Sequence, residues 1–317
     1  MPTTSLVFGV SGQDGSYLAR DLLALGHRVI GVCRNASSSH SFRNLSRLDL
    51  SGEFTLLSFD SCCEQSIMAL LESFNPSYVY NLWGVSSVTE SIKDPEIAYS
   101  SIFAFGLSLL NALKQSSPNT RLVQAGSIEI FDCQSLPIVE TSLLAPLSPY
   151  AQAKASLYLA TKYYRETYDM PVSTALLSNH ESSLRPDTFV VQKLVRHAQL
   201  LSLGKFSKLR VGNLLIQRDW GLASDYVNAI QLMAASANHN DYIISTGLTV
   251  SLVAIVSYLS ELSGVDLSAH IVQDTAFTRS SDVLVKSVLP ALIHAELGWT
   301  APHTVYDVVK SMFYNRV

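Results

Sequence analysis

The stretch SLVFGVSGQDGSYLARDLLALG, Ser5 to Gly26, decides the fold. Residues 5–10 are an apolar run of strand length, and residues 16–26 repeat their apolar positions at helical spacing. Between them stand Gly9, Gly12 and Gly15 in a G-x-x-G-x-x-G turn. Glycine is needed where a chain turns tightly, where backbone meets pyrophosphate, and where helix packs on strand. The helix that follows presents amides and the positive end of its dipole to an anion. A glycine triplet alone is an ordinary loop; its place between a first strand and a first helix makes it a phosphate-binding turn.

Outward from this turn, short apolar runs alternate with longer helical patterns. Strands are expected at 5–10, 28–34, 54–60, 77–83, 120–127 and 172–179, nearly continuous apolar runs of the kind found when both faces of a parallel sheet are covered. Helical segments such as 16–26 and 101–114 lie between them. The alternation predicts an α/β fold, a Rossmann-type doubly wound parallel sheet with right-handed crossovers. After about residue 180 the rhythm loosens, with helix-like stretches near 189–203, 224–236, 251–263 and 303–314. The expected organisation is a cofactor-binding domain over 1–178, with 219–237 packing back on it. A smaller C-terminal substrate-binding lobe takes 179–218 and 238–317.

Composition narrows the class. The 317 residues are 48% apolar and 15% charged, as in a compact enzyme. The net charge is −4 with no basic stripe, which argues against nucleic acid and against anionic membrane surfaces. The N-terminus has no basic region ahead of its apolar run and reads as a strand rather than a signal peptide. No stretch reaches a membrane span without polar residues. Cys33, Cys62, Cys63 and Cys133 have neither zinc spacing nor a disulfide pattern, so a reducing cytoplasm and no metal are expected.

The second strand ends at Cys33-Arg34-Asn35, with no acid to hold ribose hydroxyls. Arginine there pairs with a 2′-phosphate, so NADP is favoured over NAD; Arg43 and Arg47 lie farther along the same loop. Asp60, ending the third strand, is placed to meet the adenine edge. Tyr150 and Lys154 form a Y-x-x-x-K pair on one helical face. The ammonium lowers the tyrosine pKa and holds the nicotinamide ribose, and the tyrosine then moves a proton at a sugar oxygen. Ser127 and Glu129 end the fifth strand, at the carboxyl edge where open α/β sheets bind ligands. Serine there can hydrogen-bond the reacting oxygen, and the carboxylate can act as general acid and base.

Taken in order, GVSGQDGSYLA, the Ser127/Glu129 strand end, SPYAQAK, SNHESSLR (178–185) and GNLLIQRDWGLASDYV (212–227) resemble the GDP-mannose 4,6-dehydratase family of extended short-chain dehydrogenases. The resemblance runs from residue 5 to about 250 and then thins. It implies tightly held NADP and a redox-neutral dehydration: hydride leaves sugar carbon 4 with Tyr150 as base, and Glu129 takes the proton at carbon 5. Water then departs from carbon 6, and hydride returns there. It further implies cofactor contacts from Gln13, Asp14, Ser61, Leu82, Ser86, His180 and Arg185, and nucleotide-sugar contacts from Asn179, Lys193, Arg218 and Arg279. A GDP-hexose substrate and a homodimer or homotetramer, paired through helices around 101–114 and 149–169, follow from the same resemblance.

The chain departs from the family pattern at several positions. Ser127 stands for threonine, and Trp83 for a small residue near the nicotinamide ribose. Val85, Ser87 and Asn35 are also changed, TRSSDV (278–283) replaces R-P-x-E-V, and 286–299 lacks an acid or amide ahead of Leu-Gly-Trp. Arg218-Asp219-Trp220 can also be read as a salt bridge beside a core tryptophan, and Lys193 as a solvated helix face. Two alternatives stay open: a 4-keto sugar-nucleotide reductase, towards which Gly126-Ser127 leans, and a catalytically silent NADP-binding protein.

Overall fold

A computed structural model of the chain describes residues 2–38, 43–50, 52–60, 63–277 and 283–315. The backbone gathers into two compact units. The first comprises Met1–Asp132, Leu143–Leu177 and Val227–Tyr242; the second comprises Cys133–Ser142, Ser178–Tyr226 and Ile243–Val317. Of the segment expected to return at 219–237, Asp219–Tyr226 therefore belongs to the second unit and the remainder to the first.

In the first unit the six anticipated strands form β1 (Thr4–Phe8), β2 (Arg28–Cys33), β3 (Phe54–Ser58), β4 (Tyr78–Asn81), β5 (Arg121–Ala125) and β6 (Val172–Leu177). They lie in the order β3-β2-β1-β4-β5-β6, and every neighbouring pair is parallel. This is the doubly wound Rossmann order, with the strand sequence reversing between β1 and β4. Helices α1 (Gln13–Ala24), α2 (Glu64–Phe74), α3 (Val88–Lys93), α4 (Pro95–Ser116) and α5 (Pro149–Tyr168) connect them. Leu6, Phe8, Ile30 and Val79 pack with Ile102, Phe105, Leu109 and Leu113 of α4 into one buried core.

Helix α4 is, among the described residues, the one helix long and apolar enough to cross a membrane. Sequence alone predicts no stretch of that length free of polar residues, and one face of this helix fills the core under the sheet. Its middle turn, Tyr99–Ala104, is π-helical.

The second unit carries β7 (Asn179–Glu181), α6 (Val190–Ser202), β8 (Leu209–Val211) and β9 (Gln217–Leu222), which runs into α7 (Ala223–Ala235). The last turns of α7 and the start of β10 (Tyr242–Ile244) belong to the first unit, and β10 adds a seventh strand beside β6. Then follow β11 (Thr249–Ser251), α8 (Leu252–Ser263), β12 (Ile271–Gln273), α9 (Ala291–Leu297) and α10 (Val305–Tyr314). Strands β11, β9 and β7 make one small sheet, β12 and β8 another. Val191, Leu194 and Val195 of α6, Ile255 and Leu259 of α8, and Val308 and Met312 of α10 close a second core around Trp220.

Candidate active site

The glycine turn sits at the switch point of the sheet. Gly9 has φ +81°, and a Cβ there would come within 2.5 Å of the Leu82 carbonyl oxygen at the end of β4. A Cβ on Gly15 would collide with the Gly9 carbonyl and with Val10 Cα. Only glycine lets β1, α1 and the β4 end meet this closely. The turn closes through Gly12 N–H donating to Gly9 O at 3.0 Å, and Ser16 Oγ donates to Val10 O at 3.0 Å beneath it. Gly12 is the N-cap of α1 and brings no side-chain oxygen to the first-turn amides. The cradle therefore suits a pyrophosphate. Gln13 donates to the Asp14 carboxylate at 3.1 Å, so these two candidates act as a pair.

Of the remaining cofactor candidates, Arg34 and Asp60 are exposed, just past β2 and β3. Leu82 and the exposed Ser86 flank the loop that leaves β4, and Ser61 lies outside the described residues. The loop is pinned at both ends: Trp83 N–H donates to Asn81 Oδ1 at 3.1 Å, and Val85 N–H donates to Ser101 Oγ at 3.3 Å. The bulk of Trp83 is taken up by stacking on Phe105, with centroids 5.2 Å apart and planes inclined 23°. Ser87 caps α3 by accepting from Glu90 N–H.

Strand β5 ends at Ala125 and leads through Gly126 into a 3₁₀ turn, Ile128–Ile130. Ser127 is extended and buried, and its Oγ accepts from Glu129 N–H at 3.2 Å. That leaves the hydroxyl proton to be donated elsewhere. Glu129 rides on the turn, half-buried. Helix α5 is started by Ser148, which caps Ala151 N–H, and by Pro149 in its first turn. Tyr150 N–H donates to Ser91 Oγ of α3 at 3.1 Å, fixing the start of α5 against that helix.

One turn farther along α5, Lys154 is 7% exposed, and its Nζ donates to Ala125 O at 2.5 Å. The ammonium lies 5.8 Å from the Tyr150 ring centroid. Burial pushes Lys154 down to about 8, with the Asp14 carboxylate opposing the shift. The structure thus draws Tyr150, Lys154, the end of β5 and the phosphate turn into one neighbourhood.

The second unit holds another set. Asn179 and His180 lie on β7, paired with Trp220 and Gly221 of β9. Arg218, on β9, is buried and donates to Gln217 O at 2.8 Å. Arg185 Nε stands 3.6 Å from the buried Glu181 carboxylate, and its guanidinium stacks 3.6 Å over the Phe189 ring. Lys193 projects from α6 with Nζ 5.3 Å from the Phe277 ring centroid, so it is no plain solvated lysine. Arg279 and Asp282 lie outside the described residues.

Asp219 departs from the simple salt-bridge reading. Its carboxylate accepts from Tyr226 OH at 3.1 Å, Thr246 N–H at 3.0 Å and Thr246 Oγ at 2.8 Å, and Trp220 beside it is a core residue. The sequence reading passed over Tyr226 and Thr246 because these contacts cross strands and have no local spacing.

Comparison with known proteins accords with these motifs. Residues 6–312 match the sequence model of the family described as GDP-mannose 4,6 dehydratase. A GDP-mannose 4,6-dehydratase of Sinorhizobium fredii (strain HH103) is 36% identical over 270 residues, 83% of this chain and 77% of that protein. Among solved structures, a UDP-glucose 4-epimerase of Thermotoga maritima with UDP-glucose matches with TM-score 0.85 at 20% identity, over 98% of this chain and 97% of that one. A dTDP-glucose 4,6-dehydratase of Bacillus anthracis in complex with NAD matches with TM-score 0.83 at 19% identity, over 98% and 95%. The structural matches speak for the fold alone. The sequence matches, joined to the Ser127, Tyr150 and Lys154 geometry, establish that the chain belongs to the GDP-mannose 4,6-dehydratase family.

Proposed function

We propose that this protein is a lyase that converts GDP-mannose to its 4-keto-6-deoxy derivative, with NADP as the resident cofactor. The observation that carries the reading is Lys154, buried at the carboxyl end of β5 and facing Tyr150 from the same helix. A nicotinamide cofactor, when bound, supplies reversible hydride acceptance. The residues do the rest. The Lys154 ammonium favours the Tyr150 phenolate, which takes the proton of the sugar 4-hydroxyl. Ser127 donates its hydroxyl proton to the same oxygen and holds it in place. Glu129 then removes the proton at carbon 5 and delivers one to the departing carbon 6 hydroxyl, so that a single carboxyl serves as base and acid.

The glycine cradle fits a dinucleotide pyrophosphate, and Arg34 at the β2 end supports NADP over NAD because its guanidinium can pair with a 2′-phosphate. His180 and Arg185 are assigned to the cofactor, and Asn179, Lys193, Arg218 and Arg279 to the nucleotide-sugar. Arginine suits its diphosphate through two parallel hydrogen bonds. The reductase alternative loses its support at Gly126. A Cβ there would come within 2.5 Å of Thr174 Cγ2 and 3.0 Å of Ala175 O, so the packing of β5 on β6 accounts for this glycine.

Cytoplasmic location and self-association belong to the same proposal. Leu159, Tyr163 and Tyr99 expose apolar surface on α5 and α4, the helices assigned to the subunit contact. The deciding experiment incubates the protein with GDP-mannose and substoichiometric NADP+, followed by mass analysis. Loss of one water per sugar without accumulating NADPH is expected. An unchanged sugar nucleotide, in protein shown to be folded, would reject the assignment.

A further inference from the structure

The structure assigns to Tyr226 and Asp219 a positioning role: together they fix the ring plane of His180. His180 lies on β7 directly opposite Gly221 of β9. A Cβ on Gly221 would occupy the Tyr226 ring, so this glycine leaves the space into which the ring folds back over the strand. There the Tyr226 ring meets the His180 imidazole, with centroids 4.9 Å apart and planes inclined 32°. The phenol is in turn held by the Asp219 carboxylate, itself anchored by the amide and hydroxyl of Thr246. Asp219 is wholly buried and Tyr226 nearly so. Burial, foremost, keeps the Tyr226 phenol well above its ordinary value, so it stays a donor.

The other edge of the imidazole is tied as well. His180 Nδ1 lies 2.7 Å from Ser178 O, and a carbonyl can only accept, so Nδ1 carries the proton. The neighbouring Ser178 Oγ donates to the backbone oxygen of Asp219 at 3.1 Å, so one short stretch of β9 braces the residue that fixes the tautomer. With ring plane and Nδ1 both set, the direction of Nε2 is set too. The consequence for cofactor binding rests on the proposed function; the geometry of the ring does not.

The test uses the ¹⁵N-labelled full chain. A long-range ¹H–¹⁵N correlation on His180 reads which ring nitrogen is protonated, and fluorescence titration reads NADPH affinity. Tyr226→Phe, which keeps the ring but loses the bond to Asp219, is expected to keep the Nδ1–H tautomer, to shift the His180 ring protons as Asp219→Asn does, and to bind NADPH within about threefold of wild type. Tyr226→Leu leaves the Ser178 carbonyl in place, so it is expected to keep the Nδ1–H tautomer, to shift the His180 ring protons and to weaken NADPH about five- to tenfold, the weight of one aromatic partner. Asp219→Asn, nearly isosteric, serves where Tyr226→Leu does not fold, and is expected to shift the His180 ring protons as the Tyr226 ring moves. Unaltered NADPH affinity in folded Tyr226→Leu, or unaltered ring-proton shifts in Asp219→Asn, would overturn the inference. Should wild type bind no NADPH, the cofactor reading falls, and the His180 spectra still decide the positioning role.

Discussion

In the proposed reaction Lys154 acts through its protonation state. Held at about 8 by burial, it is an ammonium at neutral pH and loses its charge as the pH rises through that value. The support the proposed reaction asks it to give a Tyr150 phenolate would be lost with the charge. The profile of kcat/KM against pH is therefore expected to fall on an alkaline limb near 8. Lys154→Met should remove the limb and lower kcat by about a hundred- to a thousandfold. A limb unchanged in this variant would assign the titration to another group. Gly15→Ala tests the cradle: its Cβ must displace the Gly9 carbonyl, and NADPH affinity is expected to fall about a hundredfold for an ångström-scale misplacement. Titration of NADPH against the folded variant checks this.

Among the elements, β6 and α5 depend on a residue far along the chain. Arg165 of α5 forms a two-pronged ion pair with Asp241, 2.9 and 2.6 Å, and the same carboxylate accepts from Thr174 N–H of β6 at 2.7 Å. Both ionic groups are largely buried, so Asp241→Asn, which strands the guanidinium, is expected to cost about 3 kcal/mol of stability. A lowered denaturation midpoint with unchanged turnover per folded molecule would be the signature.

This scale also shows what sequence can and cannot disclose. Strands β1 to β6 were legible because buried parallel strands are unbroken apolar runs, and the Gly9–Gly15 turn and the Tyr150/Lys154 pair were legible because their spacing is local. Strands β7, β8, β11 and β12, three residues each, are too short to hold a period. The partners of Asp219 and the fold-back of Tyr226 depend on strand register, which only tertiary packing sets.

At the scale of the whole molecule, the exposed apolar surface on α4 and α5 should be covered by a second copy. Leu159→Asp with Tyr163→Asp is expected to shift the sedimenting species to a monomer. A wild type already monomeric at high concentration would reject the contact.

The first unit is drawn from three separated stretches, the last being Val227–Tyr242. Its completion therefore waits on the ribosome. When residue 178 has been synthesised, Arg165 still lacks Asp241 and β6 still lacks β10. At roughly 5–20 residues per second, several seconds pass before they arrive. During that interval the nascent sheet has one flank unfinished and is a natural client for a chaperone. A gene cut after residue 178 would prolong that state indefinitely.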